Sequence, residues 1–549
     1  MENPESIRPV KLAHFPTVRR LFSRKIVYAV LALVTLVMLL YAVENFRGAR
    51  AWESYRKAAE ARGLKLDFAA HIPPLIPDVE NGANTPFIQS WFLRANSDDT
   101  NRWNEINHQA TNYWPVLHSD ASELLAIKNR TTGSGAQDDR YLPDYTGWQE
   151  AFANLRETGN KKTARKVKRT GHDTTLDAKE QADAARAISE DLKIYEPALT
   201  ELRAASRHEQ VRYPVVYNRD QPFTIVIPHL AKIKGTLQML KLRAGAGLAT
   251  GRTDEAFADV KLMFWLCDSM EHEPFLISHL VRIAGRQIVT QPVWEGLARH
   301  QWSEAQLQEL QERLARTDFL SALDRALSGE RAGALVILDR LRDKNTRATT
   351  MDMLFNAEGD DDGQPSPAWR NLAGWLAPSG WLQMEKISYA KMMELNVFGG
   401  WNSEEKLFSP RAVEENERLF IKHIAHGPVH AIWNHYVLAR MILPALMKSS
   451  HRTARAQCTA AQAALACALE QFYLAEKKYP DSLDALVPKF LAQVPHEVVS
   501  TNAMRYAKKA DGFTLWSVGW DGVDDGGAFL GSAKGKEPEH GDWVWQSAP

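Results

Sequence analysis

Three carboxylates, Asp521, Asp524 and Asp525, stand close together immediately before a pair of glycines near the C-terminus. Unliganded carboxylates this close repel one another, and Ca²⁺ is a hard cation that takes carboxylate and carbonyl oxygens as ligands. The loop is not an EF-hand, because Val523 and Ser532 fall where that motif requires an oxygen ligand and a glutamate. The sequence therefore offers two interpretations of this segment, a calcium site of another geometry or an ordinary acidic turn.

Four histidines, His423, His426, His430 and His435, form a second group with metal-binding potential. On a continuous helix His426 and His430 would share one face, with the i, i+4 spacing that zinc sites use. A Gly-Pro pair separates them, however, so a helix is expected to begin there, and no glutamate beside them can act as the base of a metalloprotease. The pattern favours surface or interface histidines over a metal site.

Other chemical motifs are absent from the sequence, which has no glycine-rich phosphate loop, nucleophile elbow or zinc-ribbon cysteine pattern. Lys plus Arg and Asp plus Glu number 67 each, so no net charge favours nucleic acid as a partner. The three cysteines are predicted to be buried free thiols, and Cys458 and Cys467 face opposite sides of one predicted helix. We therefore predict no catalytic residues, and Ca²⁺ as the one candidate cofactor.

The run from Ile26 to Val43 is uncharged and mostly apolar, and the rest of the chain does not repeat it. A helix of 18 such residues spans roughly 27 Å, close to the hydrocarbon thickness of a bilayer. Basic residues dominate the preceding segment, which predicts a cytoplasmic N-terminus at 1–25, a transmembrane helix at 26–43 and an exported remainder. A cleaved signal peptide is the alternative, since Ala49-Arg50-Ala51 fits a small-x-small cleavage site.

Residues 44–355 are predicted to form an exported helical domain. The clearest apolar stripe runs from Leu230 to Leu248 in steps of three and four residues, and Gly251 should end that helix. Thr253 or Asp254 is expected to cap the helix that follows.

A capping box at Ser303 and Gln306 predicts the start of another helix in this domain. The basic run at 161–169 is expected to be a solvated surface. Residues 356–368 are rich in Asp, Gly and Pro and are predicted to be a linker, and 369–452 are predicted to be a Trp-rich and helical segment.

The end of the chain, residues 453–549, is predicted to be a small α+β unit. A long helix with a kink at Pro444 leads into it, and a short capped helix follows. Three strand-like pieces come next, at 504–507, 513–518 and 543–546. Apolar residues occupy both alternating faces of the middle strand, so both faces are expected to be covered.

This C-terminal region resembles the post-helix portion of the major pseudopilin of type II secretion systems, over about a sixth of the chain. The matching residues are, in order, Ala466, Leu469, Phe472-Tyr473, Lys478-Tyr479-Pro480-Asp481-Ser482-Leu483, Leu486-Val487-Pro488, Val494-Pro495, Arg505-Tyr506, Phe513-Thr514-Leu515-Trp516-Ser517-Val518-Gly519, the loop Asp521 to Gly527, and Asp542-Trp543-Val544. The region is also similar to the tail of large uncharacterised membrane proteins from planctomycete- and verrucomicrobium-type bacteria, which implies a bacterial source. In the pseudopilin family the loop that matches Asp521 to Gly527 lies near a calcium site, which adds support to the calcium interpretation.

Two departures limit what this resemblance implies. The family usually has an Asp-Pro-Phe segment where this chain reads His496-Glu497-Val498. The glycine-phenylalanine processing junction followed by an apolar helix is missing from the N-terminus, so we expect no processing as a pilin subunit.

The sequence thus predicts a mostly α fold with an N-terminal transmembrane helix, an irregular helical array and a pseudopilin-like α+β unit with a short antiparallel sheet. The expected function is a non-catalytic scaffolding or binding role in the bacterial envelope, near a secretion or pilus-like assembly. The expected partners are the lipid bilayer and an envelope protein, with no nucleic acid. The alternative is an envelope hydrolase with a site in 369–450, which a cleft of convergent polar groups would favour. An exposed apolar surface would favour the binding protein.

Overall fold

A computed structural model of the chain describes residues 24–92, 142–158, 177–356, 377–528 and 541–547. The fold is mostly α-helical, with one long apolar N-terminal helix and two small antiparallel sheets near the C-terminus, as the sequence predicts. Several features predicted from the sequence lie outside the described residues. They include the cytoplasmic N-terminus apart from its last two residues, the basic run at 161–169, all but the first residue of the 356–368 linker, and the start of the Trp-rich segment at 369–376.

The described helices follow in chain order. They are α1 (Arg24–Ala61), α2 (Pro86–Ser90), α3 (Tyr145–Thr158), α4 (Ala178–Asp191), α5 (Glu196–Ala205), α6 (His229–Ala249), α7 (Thr253–Asp268), α8 (Leu276–Ala298), α9 (Glu304–Ala315), α10 (Phe319–Arg342), α11 (Arg347–Asn356), α12 (Ser379–Met392), α13 (Pro410–Ile424), α14 (Gly427–Trp433) and α15 (Val437–Glu476). The strands are β1 (Trp401–Asn402), β2 (Leu407–Phe408), β3 (Arg505–Lys509), β4 (Gly512–Ser517) and β5 (Trp543–Gln546).

Helix α1 contains the whole predicted span and continues well beyond it. Its 38 residues would extend about 57 Å. The side chains from Ile26 to Leu40 are all exposed, and Gly63, with a φ of +84°, follows the end of the helix. Among the described residues it is the one helix long and apolar enough to cross a membrane. The candidate cleavage site at 49–51 lies in the middle of this continuous helix.

The chain divides into two compact units, of which the first comprises Met1–Arg62 and Leu338–Ser388. In this unit the backbones of α1 and α12 cross with little space between them, because a Cβ on Gly48 would overlap the carbonyl oxygen of Gly380. The Asn45 Oδ1 atom accepts hydrogen bonds from the Gly380 amide at 2.8 Å and from the Ser379 hydroxyl at 3.0 Å. The first turn of α12 is therefore capped by a side chain of α1.

A buried cation strengthens the same packing. The Lys386 ammonium lies 2.8 Å from the Asp339 carboxylate and 3.7 Å from the centre of the Trp52 ring. Burial lowers the pKa of Lys386, and Asp339 opposes that shift. The extension of α1 beyond the apolar run is thus held within the first unit by a glycine crossing, a helix cap and the contact of Lys386 with the Trp52 ring.

The second unit comprises Gly63–Ile337 and Tyr389–Pro549. Within it α6 and α7 form the predicted helix pair, and Gly251, with a φ of +73°, lies in the turn between them. The predicted cap at Thr253 or Asp254 is wrong, since α7 begins at Thr253 after Arg252, which makes no side-chain cap. The Asp254 carboxylate instead accepts a hydrogen bond from Gln306 at 2.9 Å, because a neighbouring helix offers it a partner.

Helix α9 opens with the predicted capping box, in which Ser303 and Gln306 exchange side-chain and backbone hydrogen bonds. It packs along α15, the 40-residue helix that contains Pro444. Helix α15 also runs through the predicted domain boundary between 452 and 453 without interruption. Helix α8 packs against α6, α7 and α15, so one helical core serves the whole unit.

The C-terminal sheet has the order β3-β4-β5 and is antiparallel throughout. The central strand β4 is covered on both faces, as predicted. The sheet is tied to the helices by Gln462, which donates to the Trp543 carbonyl at 2.7 Å, and by Trp294, which donates to the Gln546 carbonyl at 2.8 Å. All three cysteines are buried free thiols, also as predicted.

Candidate functional site

The clearest candidate surface of the second unit lies at the end of two short helices, and we call residues 419–441 the hairpin tip. Helix α13 ends at Ile424, and α14 begins at Gly427, whose φ of +80° permits the sharp turn. A second turn through His435, with a φ of +61°, leads into α15. The two turns make α14 a short separate segment between two longer helices.

The inner side of the hairpin tip is polar. The Tyr436 side chain is fully buried, and its hydroxyl lies 2.6 Å from His430 Nδ1 and donates to the His423 carbonyl at 3.2 Å. The rings of His426 and His430 lie 4.7 Å apart. Two of the four predicted histidines, His423 and His430, thus contact Tyr436, and His426 lies against His430 at the turn between α13 and α14.

The outer side of the hairpin tip is apolar. Val429, Ile432 and Trp433 share one face of α14, and their exposed fractions are 78%, 55% and 82%. Leu419, Ile421 and Met441 are exposed on the flanking helices. Burying a side chain of this kind is worth about 1.5–3 kcal/mol, so an outward-facing cluster of large apolar side chains is typical of an interaction surface.

The charged side chains of the hairpin tip itself, Lys422 and Arg440, are both cationic. Residues 418–469 contain six Lys or Arg and no Asp or Glu. Lys422 is exposed on α13 close to Ile421, and Arg440 is half-buried at the start of α15. The acidic residues of α13 are confined to its first half, at Glu414, Glu415 and Glu417. The hairpin tip is therefore both apolar and cationic.

A second exposed apolar strip lies on two loops of the same unit. It includes Leu75 and Val79 on one loop and Val216 on the other, and the Arg212 side chain joins the loops by donating to the Pro73 carbonyl at 3.1 Å. Its neighbouring charges are of both signs. The exposed aromatic side chain of the second loop, Phe223, has an exposed fraction of 46%, against 82% for Trp433.

The acidic loop near the C-terminus uses its carboxylates for local contacts. Asp524 accepts hydrogen bonds from the Trp516 indole at 2.9 Å and the Gly526 amide at 3.0 Å, and it lies 3.3 Å from Arg505. These donors lower the pKa of Asp524, the Trp516 hydrogen bond most strongly. Asp521 accepts from the Gly541 amide at 3.1 Å, and the Asp525 amide donates to Asp542.

Across the described residues, no group of three or more His, Cys, Asp or Glu side chains has an arrangement that holds a metal ion. The predicted set Asp521, Asp524 and Asp525 and the histidines of the hairpin tip are covered by that statement. Calcium binding by the loop stays a prediction, since its ligands would include carbonyl oxygens.

Buried carboxylates elsewhere in the second unit join helices. Asp259 on α7 lies 2.9 Å from Arg243 on α6 and 3.7 Å from Arg203 on α5, and Arg243 also reaches Glu196 at 3.2 Å. Burial raises the pKa of Asp259 to about 7, with both arginines opposing the shift. This network connects three helices, and the Asp259 side chain at its centre is buried.

A buried histidine lies in a second such network. His229 Nε2 is 2.7 Å from one oxygen of Glu273, and the Ser278 hydroxyl donates to the other oxygen at 2.5 Å. The Tyr213 ring stacks on His229 at 4.2 Å. The carboxylate separates the serine from the histidine, so this is not the order of a nucleophilic triad, in which the histidine stands in the middle.

One histidine–carboxylate pair does reach the surface. His300 Nδ1 lies 2.7 Å from the buried Glu470, which also accepts a hydrogen bond from Tyr479 at 3.0 Å. The His300 ring stacks on Tyr473 at 4.5 Å. The pair has the elements of acid–base chemistry, but its contacts are the ones that attach the turn before α9 to α15.

A small cavity of about 10 Å³ lies beside Arg286, between α8 and α15, and has room for about one water. The Arg286 Nε and Nη1 atoms have no hydrogen-bond partner among the described residues, whereas Nη2 lies 2.5 Å from Asp268. The cavity has the size of a site for one water molecule and is too small for an organic substrate.

The alternative prediction, a hydrolase, places its site in 369–450, and the described part of that region contacts α10 through half-buried polar groups. Trp401 donates to Asp324 at 2.9 Å, and Ser403 also donates to that carboxylate. Burial raises the pKa of Asp324, with both donors opposing the shift. These contacts attach the small β1-β2 hairpin to α10.

Comparison with known proteins gives no relative: no family model, no curated protein and no solved structure matches this chain.

Sequence reasoning named the histidines of the hairpin tip and missed its apolar face. Val429, Ile432 and Trp433 have the i, i+3, i+4 spacing of one helix face, and His430 lies on the other. That spacing, in a long stretch without acidic residues, was the available signal. Which of the two faces is buried depends on Tyr436, whose position the sequence does not fix.

Proposed function

We propose that this chain is a bacterial envelope protein with a non-catalytic binding or scaffolding role, anchored in the inner membrane by α1. The single observation that carries the binding role is the exposed apolar face of the hairpin tip. A soluble surface rarely leaves Trp433 and its neighbours open to water without a partner.

Three further features support the proposal. The basic residues before Ile26 favour a cytoplasmic N-terminus and a periplasmic bulk. The buried ionisable groups described above join helices to one another. The C-terminal helix and three-stranded sheet have the element types that the pseudopilin resemblance implies, which supports a location near a secretion or pilus-like assembly.

The test is whether the hairpin tip is covered in native membranes. A Val429→Cys variant is treated with a membrane-impermeant maleimide in right-side-out and inverted vesicles. We expect its labelling to be about tenfold slower than that of a Glu414→Cys variant. A surface that a partner covers about nine tenths of the time is open to the reagent for only about one tenth of the time. Glu414 is the matched control because it is exposed on α13, away from the apolar face.

The native thiols do not interfere with this measurement. All three are buried, and burial raises the pKa of Cys267 to about 12 and that of Cys467 as well, so neither forms the reactive thiolate readily. Adding Trp433→Glu to Val429→Cys should restore fast labelling. Equal rates for the Val429→Cys and Glu414→Cys variants would contradict the binding role, and labelling confined to inverted vesicles would reverse the topology.

A further inference from the structure

We propose that the hairpin tip docks on the surface of a bilayer that contains anionic phospholipid, with the apolar face of α14 in the headgroup region. This inference rests on the proposed function and names the partner of the same surface. The juxtaposition that carries it is an outward Trp433 with Val429 and Ile432, in a hairpin tip that contains the exposed Lys422 and no acidic residue.

The first argument is the chemistry of the exposed face. Trp is enriched at membrane–water interfaces, where its ring is apolar and its indole N–H stays hydrated. Trp433 is the most exposed aromatic side chain among the large exposed hydrophobics of the described residues. Valine and isoleucine beside it supply the apolar area that enters the headgroup boundary in interfacial helices.

The second argument is charge complementarity. The acid-free stretch 418–469 begins at the hairpin tip, and its cationic side chains include the exposed Lys422. Anionic headgroups attract such groups, whereas an acidic residue among them would be repelled. The second apolar strip, around Val216, has charges of both signs and lacks this complementarity.

The third argument is proximity. A chain held by α1 cannot leave the membrane, so its remaining surface meets the bilayer at a high effective concentration. A weak interfacial contact, insufficient for a free protein, is then occupied most of the time. A partner protein would have no comparable advantage from the anchor alone.

The experiment uses the full chain in nanodiscs that hold a single copy. A Val429→Cys variant is labelled with nitrobenzoxadiazole, and the discs contain phosphatidylglycerol, phosphatidylcholine and a lipid with a doxyl quencher near the headgroup. We expect several-fold stronger quenching than for labelled Glu414→Cys and Val216→Cys variants. The quenching should fall in discs of phosphatidylcholine alone and with the added substitution Trp433→Glu.

The outcomes separate this inference from the proposed function. Quenching equal to that of the two controls overturns bilayer docking. If the Val429→Cys variant is nevertheless protected in native membranes, a protein covers the surface and the binding role stands. If the Val429→Cys variant is protected neither in nanodiscs nor in native membranes, both bilayer docking and the binding role are overturned. A label that becomes shielded only in discs with two copies identifies a second chain as the occupant and also overturns bilayer docking.

Discussion

Gly48 on α1 and Gly380 on α12 lie so close that neither position has room for a side chain. A Cβ on Gly48 would overlap the Gly380 carbonyl, and a Cβ on Gly380 would overlap the Glu44 carbonyl. Both neighbours are backbone atoms, so no side-chain movement can relieve the overlap. The crossing fixes α12 against the part of α1 that follows the apolar run.

Gly48→Ala should therefore destabilise the chain, although alanine is the better helix former. On an open helix surface the change would stabilise by about 1 kcal/mol, whereas overpacking costs about 1–3 kcal/mol. Ala49→Leu is the matched control, because Ala49 is exposed on the same helix. Thermal unfolding in detergent should give a lower Tm for Gly48→Ala and an unchanged Tm for Ala49→Leu. A higher Tm for Gly48→Ala would mean that the helices do not cross there.

A buried carboxylate gives the second prediction, which concerns pH. Glu295 on α8 is buried, with Arg299 at 3.1 Å and the Tyr145 hydroxyl at 3.3 Å, and burial raises its pKa to about 7. In the unfolded chain the value is about 4.3, so between these values the folded state holds more protons than the unfolded state. The contribution of Glu295 to stability is therefore complete below about pH 4.3 and is lost as the pH rises through 7.

Glu295→Gln should remove this dependence, because the amide still accepts hydrogen bonds but does not titrate. The free energy of unfolding of the wild type, relative to the variant, should fall with rising pH by up to about 1.4 kcal/mol per unit in that window. Denaturant unfolding at a series of pH values measures the difference. Glu312→Gln, at an exposed position, should run parallel to the wild type. A parallel curve for Glu295→Gln would show that Glu295 stays ionised in the fold.

The parts of the fold that follow from local chemistry were predictable, and those that depend on contacts between distant residues were not. Apolar spacing located the α6–α7 pair, and the Ser303 capping box located the start of α9. The cap predicted at Thr253 or Asp254 is wrong, because Gln306, far along the chain, donates a hydrogen bond to the Asp254 carboxylate.

The candidate site shows the same limit. The sequence contains the spacing of Val429 and Trp433, yet a helix with one apolar and one polar face normally buries the apolar one. Here the buried Tyr436 pairs with His430 and reverses that choice. Likewise the Gly48 crossing depends on Gly380, which is too remote in the chain for any local pattern to connect them.

The third prediction concerns the anchor. Replacing Leu36 and Leu39 with Arg should prevent stable insertion, because each charge near the centre of a span costs about 2.5–3.5 kcal/mol on insertion scales. Both residues are exposed on α1, so the changes remove no packing contact within the protein. Leu36→Ala with Leu39→Ala is the control. Recovery of the Arg variant in membranes after an alkaline wash would show that α1 is not the anchor.

The last prediction concerns calcium at Asp521, Asp524 and Asp525. The structure sharpens its design, since Asp524 also holds Trp516 and Arg505, and its replacement would weaken the fold without any metal. Asp525 is the better choice, because it contacts Asp542 through its backbone amide, which a side-chain substitution does not change. Asp525→Asn keeps that amide and removes one charge that a cation would need.

If calcium binds, the full chain in detergent should melt at a higher temperature in millimolar calcium than in chelator. A hundredfold excess over Kd adds about 2.7 kcal/mol to the free energy of unfolding. Asp525→Asn should lose most of that difference, while Asp511→Asn, in the turn between β3 and β4, should keep it. The full chain is required because Trp294 and Gln462 tie the sheet to the helical core. An equal Tm with calcium and with chelator would establish the loop as an acidic turn that the Trp516, Arg505 and Gly526 contacts stabilise.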